Sequence, residues 1–161
     1  LGNSVRSIPF SAFYGCNNLK QVNIADSVTS IGDFALYGAR RLNSLTIPNS
    51  VVTIGRSVCY RCESLKVLVI PDSVTSIGYD AFYSCTNLEN ATIGRAVTYI
   101  PAKIFSHCMR LSSVVIPDSV THIGANAFEV CIDSQKQKVA GSRTSRTTGL
   151  LPVVFVRRKR P

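Results

Sequence analysis

Hydrophobic residues recur along this chain with a single period. Leu19, Leu42, Leu65, Leu88 and Leu111 stand 23 residues apart, and Ile24, Ile47, Ile70, Ile93 and Ile116 keep the same interval. Val28, Val51, Val74, Val97 and Val120 make a third column, and Ile31, Ile54, Ile77, Ile100 and Ile123 a fourth. Val5 and Ile8 join the last two columns in register. Such a period marks stacked repeats, in which each unit is too small to bury its own apolar face and does so against its neighbours.

One repeat reads L-x-x-(V/L/A)-x-I-P-x-S-V-x-x-I-G-x-x-A-F-x-x-C-x-x. The stretch Leu65 to Ile70 ends in period-2 alternation, which predicts a strand with Leu68 and Ile70 inward and Val67 and Val69 outward. Pro71, like Pro48 and Pro117, ends the strand because it has no N–H for a ladder. The Ser-Val-x-x-Ile-Gly piece returns the chain across the far side, with Gly32, Gly55, Gly78 and Gly124 permitting a bend that a side chain would obstruct. Ala81, Phe82 and Cys85 fall at i, i+1 and i+4, the spacing of one short helical turn, as do Ala12/Phe13/Cys16 and Ala127/Phe128/Cys131. The expected fold is therefore an α/β solenoid of the leucine-rich-repeat kind. It has turns of 23 residues, parallel strands on one face about 4.8 Å apart, and short helical or 3-10 turns on the other. The solenoid spans 1–131, as a partial first turn and then turns starting near 19, 42, 65, 88 and 111.

The string Ile70-Pro71-Asp72-Ser73-Val74-Thr75-Ser76-Ile77-Gly78, followed by Ala81, Phe82, Cys85 and Leu88, resembles the BspA-like, or Treponema-type, leucine-rich repeat family. The resemblance covers residues 4–131. It implies a non-catalytic protein-binding module, of a kind often displayed at the cell surface and implicated in adhesion to host or other cellular proteins. An intracellular interaction scaffold, in the cytoplasm, is the alternative. The chain departs from the pattern where Pro101 replaces the glycine, Gly94 and Ala25 replace the proline, and Leu36 and Cys59 stand for Phe.

Composition agrees with a folded body: 45% of residues are hydrophobic and 17% charged. The net charge of +9 would suggest an acidic partner until it is located along the chain. Residues 1–131 carry 10 Lys+Arg against 8 Asp+Glu, a net of +2, whereas residues 132–161 carry 8 against 1, a net of +7. The basicity belongs to a tail whose polar composition predicts disorder, so nucleic acid is not the expected partner of the body. The Arg157-Arg158-Lys159-Arg160 cluster within it is compatible with a localisation signal, an anionic membrane or nucleic acid, or simple solvation. No apolar run approaches the roughly 18–20 residues of a membrane span.

Cys16, Cys62, Cys85, Cys108 and Cys131 occupy one column, with Ala39 in the remaining place. Alanine as the substitute points to a small buried group, so these are expected to form a structural cysteine ladder. Stacked side chains run parallel, which opposes disulfide geometry. Cys59 and Cys62 form a lone C-x-x-C with no second ligand pair, and packing accounts for both. His107 and His122 are expected on the solvated surface. Asp26, Asp72 and Asp118 follow strands, where a carboxylate bonds nearby backbone in a turn. No phosphate loop, nucleophile triad or carboxylate pair stands out, so neither catalysis, metal nor cofactor is expected. Asn90-Ala91-Thr92 is a glycosylation sequon on the outward strand face. That face is the candidate contact surface: Gln21 and Asn23, Ser44 and Thr46, Val67 and Val69, Asn90 and Thr92, Ser113 and Val115.

Overall fold

The computed structural model describes residues 4–131; the expectations for the tail concern residues outside these. The backbone winds as a parallel β-solenoid of about five turns. Three-residue strands β2 (Gln21–Asn23), β4 (Ser44–Thr46), β6 (Val67–Val69), β8 (Asn90–Thr92) and β10 (Ser113–Val115) lie on one side. Two-residue strands β1 (Ser7–Ile8), β3 (Ser30–Ile31), β5 (Thr53–Ile54), β7 (Ser76–Ile77), β9 (Tyr99–Ile100) and β11 (His122–Ile123) follow on a second. Every pairing is parallel and in register by the repeat, as in Val67↔Asn90↔Ser113 and Ser7↔Ser30↔Thr53.

The second row divides into β1-β3-β5-β7 and β9-β11. Pro101 explains the division. Its glycine counterparts Gly55, Gly78 and Gly124 donate their N–H to the preceding turn at Ile31, Ile54 and Ile100, at 2.7–2.8 Å. A proline has no proton to give Ile77, and the ladder stops there. The first row divides into β2-β4 and β6-β8-β10, with β4 lying against β6.

Among the described residues there is no helix, which corrects the expected helical turn at Ala-Phe-x-x-Cys. Two residues four apart in each such segment adopt positive φ instead: Ser11 and Gly15, Phe34 and Gly38, Ser57 and Arg61, Asp80 and Ser84, Lys103 and His107, Asn126 and Val130. The segment becomes a run of i→i+3 turns, such as Cys62 N–H to the Cys59 carbonyl. Alternate N–H groups leave the segment entirely. Ser57, Cys59 and Arg61 donate to Tyr79, Ala81 and Tyr83 of the next turn at 2.7–3.0 Å, and the pattern repeats along the stack. A helix would consume these donors internally; here they build a third inter-turn ladder. Left-handed conformation costs roughly 1–2 kcal/mol at each non-glycine residue, and the ladder bonds offset it.

Between the ladders the core columns interlock. Leu42, Leu65, Leu88 and Leu111, Val28, Val51, Val74 and Val97, and Ile31, Ile54 and Ile100 are essentially inaccessible. The column ends are only partly covered: Val5, Phe13 and Leu19 at one end, and Ile116, Val120, Ile123 and Phe128 at the other. The serine of the Ser-Val step has a defined task. Ser27, Ser50, Ser73 and Ser119 each donate Oγ–H to a valine carbonyl one turn back, at 2.7–2.8 Å.

Candidate protein-binding surface

The outward strand residues lie in two parallel rows. β2, β4, β6 and β8 each read exposed, buried, exposed, and the alternation puts Val22, Leu45, Leu68 and Ala91 into the core. One row carries Gln21, Ser44, Val67, Asn90 and the half-buried Ser113; the other carries Asn23, Thr46, Val69, Thr92 and Val115. Val67, Val69 and Val115 are each more than half exposed. The only side-chain hydrogen bond found between these residues joins Gln21 Nε2 to Asn23 Oδ1 at 3.0 Å. The surface is uncharged and apolar at its middle.

A second surface went unread in the sequence. Tyr14, Tyr37, Tyr60 and Tyr83 stack with centroid spacings of 4.7–4.8 Å and interplanar angles of 5–7°. The tyrosines are 23 apart, so the signal was present; the expected helical turn hid it, because successive helical turns would not align these rings face to face. His107, expected as a solvated residue, is half-buried instead and extends the column, 5.0 Å from Tyr83. Its Nδ1 lies 2.9 Å from the Oγ of the fully buried Ser106. Burial and the neighbouring rings hold the Tyr37 and Tyr60 phenols above their usual pKa.

Of the three aspartates that follow strands, Asp72 acts across turns rather than within one. Asp72 Oδ1 accepts from the Arg95 backbone N–H at 2.8 Å, one repeat later. Asp33 does the same for Arg56 at 2.9 Å and also pairs with its guanidinium at 3.1 Å. Arg56 reaches on to the Tyr79 hydroxyl at 2.7 Å.

Cys62, Cys85, Cys108 and Cys131 are buried, whereas Cys16 is exposed, contrary to expectation, because the first turn has no described turn beneath it. The buried thiols donate to carbonyls one turn back, Cys85 to Cys59 at 3.3 Å and Cys108 to Phe82 at 3.2 Å. Burial pushes the Cys108 thiol far up, and a hydrogen bond donated to Cys62 together with burial does so for Cys59. Since the thiolate is the nucleophile, alkylation of the native chain at mild alkaline pH is expected to add one label, at Cys16. All six cysteines should react in denaturant. Intact-mass spectrometry checks this, and native labelling at Cys85 or Cys108 would contradict the packing.

Residues 3–135 match the family model of the BspA type leucine rich repeat region, in six copies. The chain is similar to the solved leucine rich repeat protein of T. pallidum, at 25% identity and a TM-score of 0.73, over 79% of this chain and 70% of that one. A leucine-rich repeat protein from Bacteroides ovatus gives 31% identity and a TM-score of 0.72, over 81% of this chain and 33% of that one. A leucine rich cell surface protein from Faecalibacterium prausnitzii gives 28% and 0.58, over 81% and 44%. The chain thus spans less than half of the latter two. A search of curated proteins returned no match.

Proposed function

This chain belongs to the BspA-type leucine-rich repeat family, and from that membership we propose that it is a non-catalytic protein-binding module acting in adhesion at the cell surface. Leucine-rich repeat proteins are generally protein-interaction modules. The observation that carries the reading is the outward face of the stacked strands, with Val67, Val69 and Val115 exposed. Stacked strands spend little conformational entropy on binding, because the backbone is already ordered by its ladders. The face lacks the Tyr, Trp and Arg of strong hot spots, so affinity comes from many weak contacts shared along the stack. The solved cell surface protein of F. prausnitzii supports the location.

Two measurements test this. An antibody to the repeats should stain intact, unpermeabilised cells of the source organism; staining only after permeabilisation would overturn the surface reading. The doubly substituted chain Val67→Lys, Val69→Lys should lose at least about tenfold in binding to such cells or their matrix proteins, since two ammonium groups replace the apolar middle of the face. Both valines are exposed, so stability should be nearly unchanged; unaltered binding by the folded variant would sink the strand face as the contact surface. A cytoplasmic scaffold is the second reading, favoured by the six free thiols, which suit a reducing compartment.

A further inference from the structure

The tyrosine column brings together phenol rings that the chain separates by 23 residues each. Tyr37 and Tyr60 lie 4.7 Å apart with an interplanar angle of 7°, and Tyr60 and Tyr83 lie 4.7 Å apart at 6°. The third ladder fixes this spacing, since the Gly38 N–H donates to the Tyr60 carbonyl and the Arg61 N–H to the Tyr83 carbonyl, both at 2.8 Å. These three rings are half-buried. Their hydroxyls bond to no other described residue and are not sealed from solvent, so a proton can leave each for water. Tyr14 extends the column, 4.8 Å from Tyr37. His107 ends it 5.0 Å beyond Tyr83 and brings no phenol. The other two tyrosines, Tyr79 and Tyr99, stack on no tyrosine among the described residues, and the Tyr79 hydroxyl accepts from Arg56 at 2.7 Å.

From this geometry we propose that the tyrosine column is an oxidative cross-linking site, in which neighbouring rings couple to dityrosine and join successive turns covalently. The reaction partner is a one-electron oxidant of the haem-peroxidase class working with hydrogen peroxide. Each of two adjacent phenols gives up one electron and one proton, and the peroxide takes both pairs and becomes two waters. The two phenoxyl radicals then form a carbon–carbon bond between ring positions ortho to their oxygens. Each bonded carbon loses its hydrogen as a proton while each oxygen regains one, which restores two phenols. The net change is the loss of two hydrogens per bond. Free phenoxyl radicals must find one another by diffusion, whereas here each ring already has its partner against its face. Holding the reactants together in this way turns an encounter between molecules into a step within one. Rings this close need only tilt about their own side-chain torsions for the ortho carbons to meet, and the ladder keeps the partners from parting. Each bond ties residues one repeat apart, so it resists separation of the turns. The inference does not rest on the strand-face reading, which concerns another side of the solenoid.

The test treats the full chain with a haem peroxidase and limiting hydrogen peroxide, after alkylation of Cys16 so that its exposed thiol does not consume the oxidant. Dityrosine fluorescence should appear within monomers, at a yield that dilution does not change. Intact mass should fall by two hydrogens for each bond. Peptide mapping should place the bonds between tyrosines one repeat apart in the column, such as Tyr37 with Tyr60 or Tyr60 with Tyr83. Tyr37→Phe combined with Tyr83→Phe leaves four of the six tyrosines but no two adjacent in the column, and should lose nearly all of the dityrosine. Tyr79→Phe combined with Tyr99→Phe also leaves four, with the column intact, and should keep it. Phenylalanine preserves the stacked rings, so both variants should match the unsubstituted chain by circular dichroism. Absence of dityrosine overturns the inference, as does a yield that rises with protein concentration or bonds formed at Tyr79 or Tyr99. Equal yields from the two double variants would also overturn it, since adjacency in the column would then be irrelevant.

Discussion

Gly78→Ala is expected to destabilise the solenoid by about 3 kcal/mol or more, at the upper end of overpacking effects. A Cβ at Gly78 would sit 2.3 Å from the Arg56 nitrogen, 2.5 Å from its Cα and 2.6 Å from the Gly55 carbonyl carbon. All three are backbone atoms of the preceding turn, so no rotamer change relieves the clash and the turns themselves must part. Parting them breaks the Gly78 N–H bond to Ile54, at 2.8 Å, and loosens the β5-β7 pairing. Gly15→Ala is the control. Its Cβ would meet nothing within 4 Å, and its only penalty is the positive φ of 69°, about 1 kcal/mol. Denaturant unfolding of both variants separates crowding from conformation. Equal losses would mean that the turns spread easily and that the glycine column is not held by proximity.

Phe82→Ala should cost about 3–5 kcal/mol, the range for emptying a buried aromatic site. Phe82 is fully buried and stacks on Phe105 with centroids 5.8 Å apart. Inter-turn ladders above and below keep the neighbouring backbone from collapsing into the void, which places the loss high in that range. Leu36 and Cys59 occupy the same column in earlier turns, so Phe82→Leu should cost less than about 1.5 kcal/mol. Phe13 is the half-buried first member, and Phe13→Ala should lose well under half as much as Phe82→Ala. A comparable loss at both positions, measured by chemical denaturation, would show that the first turn is as well covered as the middle ones.

Much of this molecule could be read from the chain alone, because the solenoid repeats one local problem. Each turn must bury the same apolar positions against the same positions of its neighbours, so the 23-residue columns specified stacking, strand alternation and the outward pair on each three-residue strand. Exposure of Val67 and Val69 beside buried Leu68 follows from period-2 geometry and needs no knowledge of other turns. Family membership was legible for the same reason.

What remained hidden depends on which partner a backbone group chooses. The i, i+1, i+4 spacing of Ala81, Phe82 and Cys85 is compatible with a helical turn, and only the presence of a neighbouring turn 22 residues on draws the Cys59 and Phe82 N–H groups away from it. Once that ladder forms, other features follow: positive φ at ten non-glycine residues among those described, face-to-face tyrosines, and His107 beside Tyr83. The glycine column serves close approach between turns, since a Cβ at Gly78 would meet the backbone of Gly55 and Arg56 and its φ is not positive. Cys16 shares a sequence column with four buried cysteines and is nevertheless exposed, because each thiol packs against the turn before it, as Cys131 does, and no turn before the first is described. Local pattern determined which side each residue faces; the contacts between turns decided how the backbone bends and which positions are covered, since hydrogen bonds and packing across turns outweigh the weak preferences of short segments within them.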